Sequence, residues 1–183
     1  MKRLIRACIV FLVVTSPFCL GCVDSSDYGG PVDITEMLCI FYDDAGVGET
    51  KECALPGVFI SGNETTANLL DVEFSFVNYS LNRVRLNRMN VEYTAPWGPA
   101  IPNHSQRMAV DIPPAPENDP EAGSDEKQVP VSLWSLEQTR HVYERKGQYP
   151  ATPFLVNCKV TFFYNTSGGQ EQSLEREVTI ELL

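Results

Sequence analysis

From about Val32 onward the chain alternates apolar and polar residues with a period of two, the pattern of strands with one face in a core and the other in water. The clearest stretch is at the C-terminus. Phe154, Val156, Cys158, Val160, Phe162 and Tyr164 share one face, Asn165 to Gly169 turn the chain, and Leu174, Val178, Ile180 and Leu182 return along one face. Glu175, Glu177, Thr179 and Glu181 fall opposite them, so this segment predicts a β-hairpin with one side buried. Upstream, Val72, Phe74 and Phe76 alternate with Asp71, Glu73 and Ser75. Val84 and Leu86 are followed by Met89, Val91 and Tyr93 on the other parity, which requires a bulge near Asn87 or Arg88. Two shorter strands follow, through Met108, Val110 and Ile112 and through Val129, Val131 and Leu133.

One stretch reads as helix. Ser135 with Gln138 forms a capping box, Glu137 lies in the first turn, Arg140, Arg145 and Lys146 lie towards the end, and Gly147 and Pro150 close it, predicting a short helix over 136–146 that crosses one end of the sheets. The Pro- and acid-rich stretch 113–127 has too little apolar surface to order itself and is expected to be a mobile acidic loop. About seven short strands separated by turn-rich loops predict an all-β fold, a mostly antiparallel, immunoglobulin-like β-sandwich, although the Cys, Trp, Cys spacing of antibody domains is missing.

The first residues follow a different logic. Lys2, Arg3 and Arg6 form a cationic head, Ala7 to Val14 an apolar stretch, and Cys19, Leu20, Gly21 and Cys22 a small-residue cleavage site. Counted to Leu20 the apolar run spans roughly 21 Å at 1.5 Å per residue, short of the roughly 30 Å of a hydrocarbon core. Leu20, Gly21 and Cys22 resemble the signal of bacterial lipoproteins, although Cys19 stands where such signals usually carry Leu. The resemblance implies a signal peptide over 1–21, cleavage before Cys22, and acyl chains such as palmitate on the sulfur and amino group of Cys22 that anchor the protein in a membrane. An ordinary secretory signal, leaving a soluble extracytoplasmic protein, is the competing reading. Residues 22–31, with Asp24, Ser25, Ser26, Asp27, Gly29 and Gly30, then read as lipidated N-terminus and flexible tether, and 32–183 as one domain.

Removing residues 1–21 from 183 leaves 162, enough to bury roughly 70% of the surface of the unfolded chain. Lys plus Arg falls from 14 to 11 while Asp plus Glu stays at 24, so the mature charge is −13. Such a surface repels nucleic acid, which is not expected as a partner.

Cys39, Cys53 and Cys158 remain, and an oxidising compartment favours a disulfide. Three pairings exist. A hairpin centred on Gly46 would set Cys39 and Cys53 directly across from each other, a bridge that closes about 15 residues and stabilises by roughly 3 kcal/mol in the chain-entropy model. Cys158 then becomes a buried, inert thiol. No Cys or His pair has metal-ligand spacing, and no metal or cofactor is expected. Asp43, Asp44 and Glu49 are a candidate calcium site at a hairpin tip, but they miss the EF-hand spacing and read more simply as the acidic turn residues of a negative chain. His104 lies near Ser105 and Asp111, but sequence neighbours are not a triad, no nucleophile elbow exists, and His104 and His141 read as loop or surface residues. Arg83, Arg85 and Arg88 read as cross-strand partners of carboxylates, and Asn63, Asn78, Asn103 and Asn165, which open glycosylation sequons, as polar loop and turn residues. Trp97, held among Pro96, Gly98 and Pro99, is the candidate ligand contact: it either stacks on a sugar ring or partner, or caps the open end of the sandwich.

The order of phrases, a strand ending in Val91, Tyr93 and Thr94, a proline-rich loop, and a closing hairpin through Phe162 and Phe163, resembles bacterial envelope lipoproteins with such a sandwich over roughly 55–183. That resemblance implies a fold and no activity. The expectation is a noncatalytic, lipid-anchored envelope lipoprotein, on the periplasmic or cell-surface side, that binds or scaffolds a protein partner. Its alternatives are a carbohydrate or small-ligand module using the Trp97 loop, and an unrecognised hydrolase.

Overall fold

A computed structural model describes residues 31–42, 46–60 and 70–183. The signal segment, Cys22, nearly all of the tether, Asp43, Asp44 and Asn63 lie outside the described residues. The strands are β1 (Val32–Tyr42), β2 (Gly48–Lys51), β3 (Gly57–Val58), β4 (Leu70–Asn78), β5 (Val84–Thr94), β6 (His104–Ile112), β7 (Lys127–Trp134), β8 (Phe154–Asn165) and β9 (Glu171–Leu182), with one helix, α1 (Leu136–Glu144), between β7 and β8. They form a sandwich of a four-stranded sheet, β2-β1-β4-β7, on a five-stranded sheet, β3-β9-β8-β5-β6. Nine strands stand where about seven were expected, and the shortest leave no periodic signature in sequence: β2, the return strand of the hairpin expected around Gly46, has four residues, all exposed, and β3 has two. β3 runs parallel to β9, the single departure from antiparallel pairing among the described ladders.

Burial follows the alternation. Phe154, Val156, Cys158, Val160, Phe162 and Tyr164 of β8 belong to one buried core with Val72, Phe74 and Phe76 of β4. Phe162 joins the sheets by edge-on contacts to Phe74 and Phe76, with centroids 5.1 and 4.9 Å apart, geometries in which ring edges meet ring faces favourably. The register of β5 shifts between Leu86 and Arg88 against both neighbours, which turns Met89 and Val91 inward as the parity change required. A second shift, between Leu70 and Asp71 of β4, pairs Leu70 with Trp134 and Asp71 with Ser132. It brings Leu133 and Trp134 inside together, both with no exposure.

Strand direction divides the sandwich into two ends. At the proximal end the chain enters through Pro31, whose carbonyl accepts from the Tyr79 amide at 2.7 Å. Asn78, completely buried, holds this end together: its side-chain amide donates to the carbonyls of Asn82 (2.8 Å) and Pro113 (2.9 Å), its side-chain oxygen accepts from the Ser80 amide, and its main-chain amide donates to Ser124 Oγ. Asn78 is therefore a core residue and not a surface loop residue, and the sequon reading missed it because a buried side-chain amide looks the same in sequence. The acidic segment 113–127, expected to be mobile, is tied by the Ala115 amide to Ser80 and by the Ser124 amide to Asn78, with a 3₁₀ turn over Pro120–Ala122.

The distal end carries the β1–β2 hairpin, the β5–β6 loop, α1 and β3. Ser135 caps α1 with the expected box, its amide donating to Gln138 Oε1 at 3.2 Å. The helix closes at Glu144 rather than 146, and a separate 3₁₀ turn covers Lys146–Gln148.

Candidate functional site

The distal end is the region where exposed apolar side chains gather. Phe41 and Tyr42 lie at the β1–β2 turn with Val47, and Leu55 and Phe59 flank β3. Leu155 faces outward at the start of β8 and Trp97 stands between β5 and β6, all of them exposed. By register Leu155 and Gly57 both neighbour Glu181, so Leu155 and Phe59 share the outer face of one corner. The proximal end exposes Tyr79 and Leu81.

Trp97 owes its position to its neighbours. Gly98 adopts φ +106°, a conformation that favours glycine, and a Cβ there would lie 2.7 Å from the Tyr149 ring and 2.8 Å from the Gln148 carbonyl. Tyr149 donates its hydroxyl to the Pro99 carbonyl at 3.0 Å and stacks on Phe154, and Gln138, fully buried, donates to the Pro102 carbonyl at 2.9 Å. The loop is thus pinned from both sides while its indole stays 64% exposed. The end-capping role that Trp97 was one candidate for belongs to Trp134: it is buried edge-on against Tyr93, and its indole donates to Thr139 Oγ1 at 2.9 Å.

The other candidate groups are dispersed. His104 is half-buried at the start of β6, and burial holds its imidazole below the usual histidine range. Ser105 points to the opposite face and donates to Asn90 Oδ1 at 2.9 Å. Asp111 is seven residues further along the same strand, about 23 Å at a strand's rise per residue, so the three do not converge. His141, on α1, buries Nε2 without a partner; burial first and then Arg145 lower its pKa, against Glu144, the Ala100 backbone and Glu137. No group of three or more metal-ligating side chains occurs among the described residues. Glu49 pairs with Lys51 at 2.7 Å.

The disulfide joins Cys39 to Cys53, with Cα atoms 5.7 Å apart. The two are not directly across from each other as the hairpin reading has them: Cys39 faces Lys51, and Cys53 lies two residues past the end of β2. Cys158 is a free thiol with no exposure on the core face, and burial pushes its pKa up to about 12. The arginines serve as cross-strand partners. Arg88 lies 3.9 Å over the Phe163 ring and 3.2 Å from Glu171, Arg83 reaches Asp111 at 4.0 Å, and Arg85 pairs by register with Asp111.

No family model matches the chain, and no curated protein matches it. Among solved structures, the CooA pilin subunit of enterotoxigenic Escherichia coli aligns over 83% of this chain and 97% of its own length, at 8% identity and a TM-score of 0.27. At that score the match carries no inference about function.

Proposed function

We propose that this protein is a noncatalytic binding module of a bacterial cell envelope, anchored by acyl chains on Cys22, that presents its distal end to a protein partner. The supporting observation is the direction of the chain: it enters the sandwich at Pro31, while the exposed apolar side chains gather at the opposite end. Residues 23–30 reach at most about 28 Å when fully extended, so an anchor at Cys22 keeps the proximal end within that distance of the bilayer and leaves the distal end as the one free to face away from it. The Cys39–Cys53 bridge suits an oxidising compartment. Apolar side chains left in water at a site far from the anchor are the surfaces that another protein covers.

Mass measurement of the N-terminal peptide from native membranes should find an acylated Cys22 and no residues 1–21. A photo-crosslinking side chain placed at Phe59 or Trp97 should capture a protein in intact cells, whereas one at Leu81 should not. An unmodified Cys22, or capture at Leu81 alone, would remove this reading. A second reading, a carbohydrate module, draws on the rigid exposure of Trp97. It requires that Trp97→Ala abolish binding to immobilised glycans while leaving thermal stability unchanged.

A further inference from the structure

β6 is an outer strand of the five-stranded sheet, and no strand among the described residues pairs with its free side. Edges of this kind invite another strand unless something blunts them. The other edges are blunted, and β1, left unpaired by β2 over residues 32–38, carries a register shift between Ile34 and Glu36. β7 carries the exposed Pro130, which has no amide hydrogen to offer, and β2 is four residues long. β9 beyond β3 sets Glu171, Glu175 and Glu177 outward and places an exposed Arg176 on the parity of its core-facing residues. β6 has neither a proline nor a short span nor a run of one charge: its outward charges, Arg107 and Asp111, are of opposite sign, and its ladder with β5 shifts register at Met108 and Ala109. It has nine residues, no proline, and an unbroken alternation in which Ser105, Arg107, Ala109 and Asp111 face outward.

Its charges are also unfinished. Arg107 stands opposite Arg88, a like-charged neighbour whose own guanidinium is drawn the other way, onto Phe163 and Glu171. Arg107 has no ion-pair partner among the described residues. Asp111, four residues on, has Arg83 at 4.0 Å and Arg85 beside it on the β5 side, and open edge on the other.

We propose that β6 pairs antiparallel with β6 of a second copy of this chain, about a two-fold axis through Ala109. In that register Ala109 meets Ala109, and each Arg107 stands opposite Asp111 of the other copy. Met108 and Val110, both half-buried against the core, meet each other on the inner face. The outward row then runs Arg88, Arg107, Asp111, Arg85 across the junction, so that each unsatisfied guanidinium gains a carboxylate. The same operation on β9 would set Glu175 against Glu177, which repel. A two-fold axis closes the assembly at two copies and joins the five-stranded sheets into one of ten. Tethering to a surface would favour such pairing by raising effective concentration, but the self-complementary register does not depend on the anchor.

The register is tested in the full chain in its own membranes. Ala109→Cys should form a disulfide-linked dimer on mild oxidation, because residue 109 meets itself across the axis, and Ser105→Cys should not. In the purified full-length protein, sedimentation should find a dimer. Arg107→Asp and Asp111→Arg should each weaken it at least about tenfold, since each replaces two attractive contacts with two repulsive ones. Mixing the two variants should restore a one-to-one dimer, and each variant alone should keep the parent's circular dichroism spectrum, which shows that the loss of dimer is not a loss of fold. A monomeric parent, an open-ended assembly, a dimer indifferent to both substitutions, or equal crosslinking at 105 and 109 would overturn the proposal.

Discussion

Asn78 shows how much one polar side chain holds when it is buried at a junction. Its side-chain amide, itself fully buried, ties the β4–β5 turn to the segment that follows β6 through part-buried bonds to Asn82, Pro113 and Ser80. Asn78→Ala strands the Ser80 amide and two carbonyls, and should cost about 2–3 kcal/mol, lowering the melting temperature by about 4–12 °C at this chain length. A loss under 1 °C in calorimetry would contradict that role. The histidines give stability a pH dependence of definite sign. Burial lowers the pKa of both His104 and His141 in the folded state, so the unfolded chain binds protons more readily. Their contribution is therefore complete above the unfolded value near 6.5 and is lost as pH falls through the folded values. Melting temperature should drop on acidification below pH 6.5, and His141→Phe should flatten part of that slope.

At the scale of elements, legibility tracked the length of the pattern. β8, with six inward residues in strict alternation, and the β5 shift near Asn87 could be read directly, because side-chain parity is local and a change of parity needs a bulge. α1 was legible at its start, where Ser135 and Gln138 satisfy each other, and less so at its end, where the chain passes from α to 3₁₀ over a few residues. β3 was not legible, since two residues impose no period, and β2 was legible only as the return strand of the hairpin centred on Gly46, with its register against Cys39 two residues off. The disulfide secures this weakest corner. β2 is wholly exposed and contacts only β1 within its sheet, so the bridge to Cys53 supplies what packing does not. Reduction should cost roughly 3 kcal/mol by chain entropy. Hydrogen exchange should speed up in β1 residues 39–42 and in β2 more than in β8, and a uniform change across the sheets would count against this.

For the molecule as a whole, the decisive property is the difference between its ends. Trp97 and Trp134 report on it separately, since one is 64% exposed and the other has no exposure. In reconstituted vesicles an aqueous quencher should reduce emission from Trp97 and spare Trp134, and brominated lipids should quench neither. Quenching of Trp97 by lipid would place the distal end against the bilayer and reverse the proposed orientation.

The amino-acid sequence by itself determined the inward face of the long strands, where the strand parity breaks, how α1 begins and that Cys39 with Cys53 is the favoured of three pairings, because each of these follows from side chains within a few positions or from a short loop. Only the tertiary structure decided that Asn78 is buried, that Trp134 rather than Trp97 is enclosed, that His104, Ser105 and Asp111 point apart, and that β6 is left at an open edge. These depend on strand order and on which elements share an end of the sandwich, and strand order is set by pairings between residues far apart in the chain, which no local pattern encodes.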